Sequence, residues 1–159
     1  KLEHFFNICT NDKLEPTKSL RQDCVMPRKL PALTDENRAF WQGGQKDELL
    51  IHRCSDCGRY FHPPGPVCSV CNSFEVGPEA VSGRGHVVSF TINHQPWTSE
   101  LEKPFVIAVV ELVEQNGLRF VSNIEGVAVT DVYIGMPVRV QFHQEEDVWL
   151  PLFVGAKHV

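Results

Sequence analysis

The sequence has no apolar run long enough to cross a bilayer; its longest clean one, Phe105 to Val110, falls far below the ~20 residues a spanning helix needs. It is poor in positive charge. Its 15 Lys and Arg stand against 20 Asp and Glu, a formal net charge of −5, so the whole chain offers no basic field to nucleic acid or to an anionic membrane. No signal-peptide pattern opens it either, since Lys1 to Thr10 is mixed and carries His4, Asn7 and Cys9. A cytoplasmic protein is the expectation. The common catalytic signatures are missing as well: there is no G-x-S-x-G, no glycine-rich phosphate loop and no H-E-x-x-H. Of the seven histidines, His52, His62, His86, His94 and His143 lie in the ordered-looking part of the chain. Nothing in their spacing sets them beside a nucleophile, and surface or satisfied structural roles are expected for them.

What is present describes a globular protein of one ordinary domain or two very small ones: 159 residues, 42% hydrophobic and 22% charged, with ten Phe and three Trp to fill a core. Four of the six cysteines form two C-x-x-C pairs, Cys54–Cys57 and Cys68–Cys71, separated by ten residues. Each pair can turn two thiolates onto one ion, and two such turns complete a tetrahedral four-sulfur shell. Structural zinc is the expected occupant. Iron fits the same ligands, and sequence does not separate the two. Disulfides would need an oxidising compartment. Gly58, beside the first pair, allows the positive φ that such a turn often requires. Cys9 and Cys24 stand outside the pattern as spare thiols.

Along the chain, residues 1–25 show no apolar period and receive no fold. Met26-Pro27 reads as the start of the protein proper, and what precedes it as leader, linker or part of a longer chain. Residues 26–47 form a helical segment, with Thr34 as N-cap, Asp35 and Glu36 at the positive end and Gly43-Gly44 as the stop. Residues 48–76 form the zinc ribbon, entered by a short strand from Glu48 to His52. Val76 to Gly85 reads as a turn-rich link. Residues 77–159 form the last unit, in which five strands are expected: His86–His94, Phe105–Val113, Leu118–Ile124 after an Asn116-Gly117 hairpin turn, Val138–His143, and Val148–Val154. Thr130 to Gly135 reads as a brief turn or single helical turn, and Glu145, Glu146 and Asp147 as a solvated hairpin tip. The chain is thus mainly β, with a short N-terminal helix, a four-cysteine ribbon and a five-stranded OB-type barrel. A five-stranded sandwich competes, but the barrel leaves no open edges to protect.

A ribbon followed by an OB barrel invites a nucleic-acid reading, and charge opposes it. From Arg84 onward there are five basic and nine acidic side chains, a net of −4. A strand-binding groove combines positive charge with aromatic rings.

The order of these parts resembles a family long catalogued as a domain of unknown function, the acyl-CoA-associated proteins with a rubredoxin-like zinc ribbon and an OB-fold. The stretches that carry the resemblance are Asn37-Arg38-Ala39-Phe40-Trp41, Cys54-Ser55-Asp56-Cys57-Gly58-Arg59-Tyr60 with Pro63-Pro64, Gly83 to Thr91, Asp131 to Val138, and Leu150-Pro151-Leu152-Phe153. The resemblance implies an accessory subunit with no catalytic residue of its own. Its partner would be a thiolase-like protein that acts on acyl-CoA thioesters by thiolysis, aldol cleavage or acyl transfer, in lipid or steroid side-chain metabolism. The acyl-CoA would be held mainly by the partner, within a hetero-oligomer. Some members are fused to hydratase-like domains. A free-standing module for CoA thioesters or other small ligands is the second reading, and nucleic-acid binding a distant third. Phe40, Trp41 and Trp97 are the aromatics weighed as partner contacts, because the helix is too short to bury two rings alone and Trp97 lies in an inter-strand loop.

Overall fold

The computed structural model describes residues 30–95 and 104–156. Trp97, Cys9, Cys24 and the whole of residues 1–25 lie outside the described residues.

The leading segment begins with a reciprocal pair: the Thr34 amide donates to Asn37 Oδ1 at 2.8 Å and the Asn37 amide to Thr34 Oγ1 at 3.3 Å. Regular α-helix then covers only Arg38–Gln42 (α1). Gly43-Gly44 does not stop the chain as expected. It continues as a 3₁₀ turn, Gly43–Lys46, and ends at Asp47 in the left-handed conformation. The glycines are there for close approach. A Cβ on Gly44 would sit 2.5 Å from both the Phe142 ring and Trp149 Cβ, so this turn lies directly on the barrel wall.

The ribbon is a three-stranded antiparallel sheet in the order β2-β1-β3, built from Leu49–Cys54 (β1), Tyr60–Phe61 (β2) and Val76–Val81 (β3). The last of these corrects the expected turn-rich link. All six residues of β1 pair with β3, from Leu49 opposite Val81 to Cys54 opposite Val76. Gly77 and Pro78 break most strands, but β3 is an edge strand, and proline is tolerated where no ladder donor is needed.

The five strands expected in the C-terminal part are all present: Arg84–Asn93 (β4), Phe105–Leu112 (β5), Arg119–Glu125 (β6), Pro137–Glu145 (β7) and Val148–Gly155 (β8). They close as β4-β5-β6-β8-β7, the topology of an OB barrel. A bulge between Val87 and Ser89 shifts the β4–β5 register and bends β4, as closure requires. The two seams that close the barrel are short. Strand β4 meets β7 through three residue pairs, and β6 meets β8 in parallel through two, Ile124 with Phe153 and Glu125 with Val154. The β5–β6 connection is wider than a two-residue turn. It runs from Val113 to Leu118, with the Leu118 amide donating to the Gln115 carbonyl at 3.1 Å. Val129–Asp131 is a single 3₁₀ turn in place of a full helix before β7.

Alternation along the strands sends Val87, Val106, Ala108, Val110, Phe120 and Phe153 inward, each at 6% exposure or less. Leu49 and Ile51 of β1 and Phe40 of α1 belong to the same apolar cluster. Helix, ribbon and barrel share one core.

Candidate metal centre

The two C-x-x-C segments adopt the same local fold. In the first, the Gly58 amide donates to the Cys54 carbonyl at 2.8 Å and the Cys54 amide to the Arg59 carbonyl at 2.9 Å. In the second, the Asn72 amide donates to Cys68 and the Cys68 amide to Ser73, both at 2.9 Å. Each turn ends on a left-handed residue at the same offset, Gly58 at φ 73° and Asn72 at φ 59°. Asparagine is one of the few side chains that enters that region readily. The sequence reading noted Gly58 and missed Asn72, although an Asn directly after the second pair was the signal available.

These turns bring the Cys54, Cys57, Cys68 and Cys71 sulfurs within 4.8 Å of one another, with Cys54–Cys71 and Cys57–Cys68 both at 3.6 Å. Four sulfurs around one zinc at about 2.3 Å would stand about 3.8 Å apart, so the cluster fits a tetrahedral ion with little adjustment. Cys54 and Cys68 are buried, Cys57 and Cys71 exposed. The electrostatics divide the same way. Amides of Cys57 and Asp56 hold the Cys54 thiol below its ordinary value, and amides of Cys71 and Val70 hold Cys68 down to about 6. At Cys57 and Cys71 the single amides of Arg59 and Ser73 are outweighed by desolvation and the neighbouring thiols, which leaves both raised, Cys71 to about 12. Four thiolates in one place need a cation to compensate them, and the site is arranged to receive one.

A second set of contacts seats the ribbon on the barrel. The Tyr60 amide donates to Gln115 Oε1 and Gln115 Nε2 donates to the Tyr60 carbonyl, both at 2.9 Å. Within the ribbon itself, the Tyr60 hydroxyl donates to Glu79 at 2.5 Å, and Arg53 Nη1 donates to both oxygens of the same carboxylate at 2.9 and 3.0 Å. Beside them runs a line of rings. His62 lies 4.6 Å from Phe40 and 5.5 Å from Phe120, and Phe120 lies 5.4 Å from Phe153, measured between ring centroids. Burial lowers the His62 pKa, which favours a neutral ring here.

The remaining histidines are dispersed. His52 packs on Phe61, His86 lies 3.9 Å from Glu111, and His143 lies 3.7 Å from Glu145. Of the three aromatics weighed as partner contacts, Phe40 is a core ring at 4% exposure, held edge-on against Trp41 and Phe120. It presents no surface to a partner. Trp41 is half-buried, and Trp97 is outside the described residues. Exposed apolar side chains that the sequence did not single out include Val70 on the second cysteine turn, Phe74 just after it, Val121 on β6 and Ile134 before β7.

Residues 41–77 match the family described as the ChsH2 rubredoxin-like zinc ribbon domain, and residues 78–143 match the ChsH2 C-terminal OB-fold domain. The chain is 36% identical over 141 residues to a probable enoyl-CoA hydratase alpha subunit of Thermomonospora curvata, covering 88% of this chain and 44% of that protein. It is 36% identical over 131 residues to the 3-oxo-4,17-pregnadiene-20-carboxyl-CoA hydratase alpha subunit of Mycobacterium tuberculosis, covering 82% of this chain and 38% of that one. It therefore spans less than half the length of these two relatives. Among solved structures, a chain of the Ltp2-ChsH2(DUF35) aldolase superposes with a TM-score of 0.71 at 35% identity, over 79% of this chain and 98% of the other.

Proposed function

The chain belongs to the ChsH2 (DUF35) family of zinc-ribbon and OB-fold proteins, and on that footing we propose that it is the non-catalytic accessory component of an acyl-CoA assembly whose chemistry is done by a thiolase-like partner. The observation that carries this reading is the match to nearly the full length of one chain of a two-component aldolase. The ion is zinc in a structural site. Four thiolates fill its coordination shell, so no position is left for a water or a substrate, and its contribution is to folding. Zinc supplies charge compensation, while Cys54, Cys57, Cys68 and Cys71 supply the shell that fixes β1 against the loop before β3.

The acyl-CoA is held mainly by the partner. With a net charge of −5, this chain is poorly suited to neutralise the CoA phosphates alone. The names of the relatives direct the substrate toward acyl-CoA thioesters of steroid or lipid breakdown. A small rigid module can wall off a thioester tunnel or fix a loop of the partner without reacting itself. Trp41 and Trp97 are the aromatics assigned to that contact.

Affinity capture of the chain from its native host tests the proposal. A stoichiometric thiolase-like protein is the expected result. Capture of no such protein, together with saturable binding of acyl-CoA to the chain alone, would replace it with a free-standing ligand module.

A further inference from the structure

The four ligand sulfurs are not equivalent, and the difference is systematic. In each cysteine turn the first sulfur is buried and accepts two backbone N–H groups: Asp56 and Cys57 donate to Cys54, and Val70 and Cys71 donate to Cys68. The second sulfur is exposed and accepts one: Arg59 donates to Cys57 and Ser73 to Cys71. Amide donors withdraw electron density from a thiolate, so the outer sulfurs are both the more accessible and the more nucleophilic pair. Access to Cys57 is widened by its neighbour, since Gly58 has no side chain and the space where one would stand is open apart from Arg53 Nη2 at 3.6 Å. Each outer sulfur also lies 3.6 Å from an inner one, and in both cases the inner sulfur belongs to the opposite turn: Cys71 faces Cys54, and Cys57 faces Cys68. A Cys–Cys bridge requires these sulfurs to close to about 2.05 Å with a dihedral near ~90° about the S–S bond.

We propose that this centre is an oxidation site for hydroperoxides, in which Cys57 and Cys71 are the attacked sulfurs, Cys68 and Cys54 resolve them across the two turns, and the metal ion is expelled. The first step is attack of the outer thiolate on the peroxide O–O bond. The sulfur gains one oxygen as sulfenic acid, the O–O bond breaks, and the other oxygen leaves as alkoxide or hydroxide. In the second step the inner thiolate attacks the sulfenic sulfur, a disulfide forms, and hydroxide leaves. Two electrons pass from two cysteines to one peroxide, and zinc keeps its oxidation state. A shell reduced to two thiolates no longer holds the ion. The inference rests on the four-thiolate metal reading.

The test uses the chain carrying Cys9→Ser and Cys24→Ser, so that only the four cluster thiols remain. Zinc content, free thiols and disulfide connectivity are followed during titration with hydrogen peroxide. The expected result is loss of the single zinc in step with loss of the first two thiols. Peptide mapping should find Cys54–Cys71 or Cys57–Cys68 bridges, and a dithiol reductant plus zinc should restore the starting state. Zinc retained through a large excess of peroxide overturns the inference and leaves the metal reading intact. So do bridges confined to Cys54–Cys57 and Cys68–Cys71. A freshly purified reduced chain without any bound ion overturns the metal reading and this inference with it.

Discussion

Gln115, at the tip of the β5–β6 loop, pairs its side-chain amide with both backbone polar groups of Tyr60 at 2.9 Å, in the manner of one more rung of a sheet. Tyr60 opens β2, the short outer strand of the ribbon, and lies three residues past Cys57. One side chain of the barrel therefore supplies the ladder partner that this edge strand would otherwise lack. Gln115→Leu leaves the Tyr60 N–H and C=O without that partner, at a cost of about 1–3 kcal/mol. Thermal unfolding should register a lower Tm with metal content unchanged. An unaltered Tm would mean that water replaces the amide at no cost and that the seat of the ribbon lies elsewhere.

The metal ligands allow a sharper contrast. Cys57→Ser should abolish metal binding and unfold the ribbon, while Cys9→Ser should do neither. Metal analysis and circular dichroism read both outcomes. Because thiols must lose their protons to ligate, acidification should release the ion, and affinity should fall as pH falls.

His62 gives the protein a second pH dependence. Burial, and after it the charge of His52, holds its folded pKa below 6.5, so the unfolded chain takes up this proton more readily than the folded one. Its contribution to stability is complete above about pH 6.5 and is lost as pH falls from there toward the lower folded value. His62→Phe keeps a ring between Phe40 and Phe120 and should flatten the stability profile between roughly pH 7 and 5. Denaturant unfolding across that range, with metal content checked at each point, shows whether the slope belongs to His62. An unchanged slope assigns it to other groups, His52, which burial also lowers, and the metal site among them.

Two aromatics of α1 should behave differently. Phe40→Ala removes a ring from the shared core and should cost about 3–5 kcal/mol of stability. Trp41→Ala, and Trp97→Ala with it, should leave the fold and the zinc in place and weaken the complex with a thiolase-like partner by about 2 kcal/mol or more. Calorimetric titration of each variant against the partner measures the loss, and two folded tryptophan variants that bind as tightly as the unsubstituted chain would move the interface to another face.

The chain alone should turn over no acyl-CoA substrate. Robust thiolysis, aldol cleavage or hydrolysis by protein free of the partner would overturn the proposed accessory role.

Legibility in the sequence followed the range of the physical signal. The four cysteines are a local pattern with one dominant chemical meaning, and Val138, Val140 and Phe142 alternate as a half-buried strand must. Strand β3 was hidden because Gly77 and Pro78 weaken any local strand signal, and only the long-range pairing with β1 overrides it. The close contact of Gly44 with Phe142 and Trp149 joins positions about a hundred residues apart, so the pair of glycines read as a stop. Gln115 and His62 are ordinary polar residues in their own segments. Their roles exist only after the ribbon has been laid on the barrel, and no period or spacing encodes that.

The two short seams of the barrel have a kinetic consequence. Strands β4, β5 and β6 form one meander of sequential pairings, and β7 with β8 forms one hairpin; each can fold from local contacts before the other. The pieces meet where Phe153 of the hairpin packs on Phe120 of the meander, and Phe120 is also the ring that receives Phe40 and His62. Docking of hairpin on meander and landing of the ribbon thus share one nucleus. Folding should pass through a single late barrier, at which the barrel shuts and the metal-bearing sheet comes to rest together.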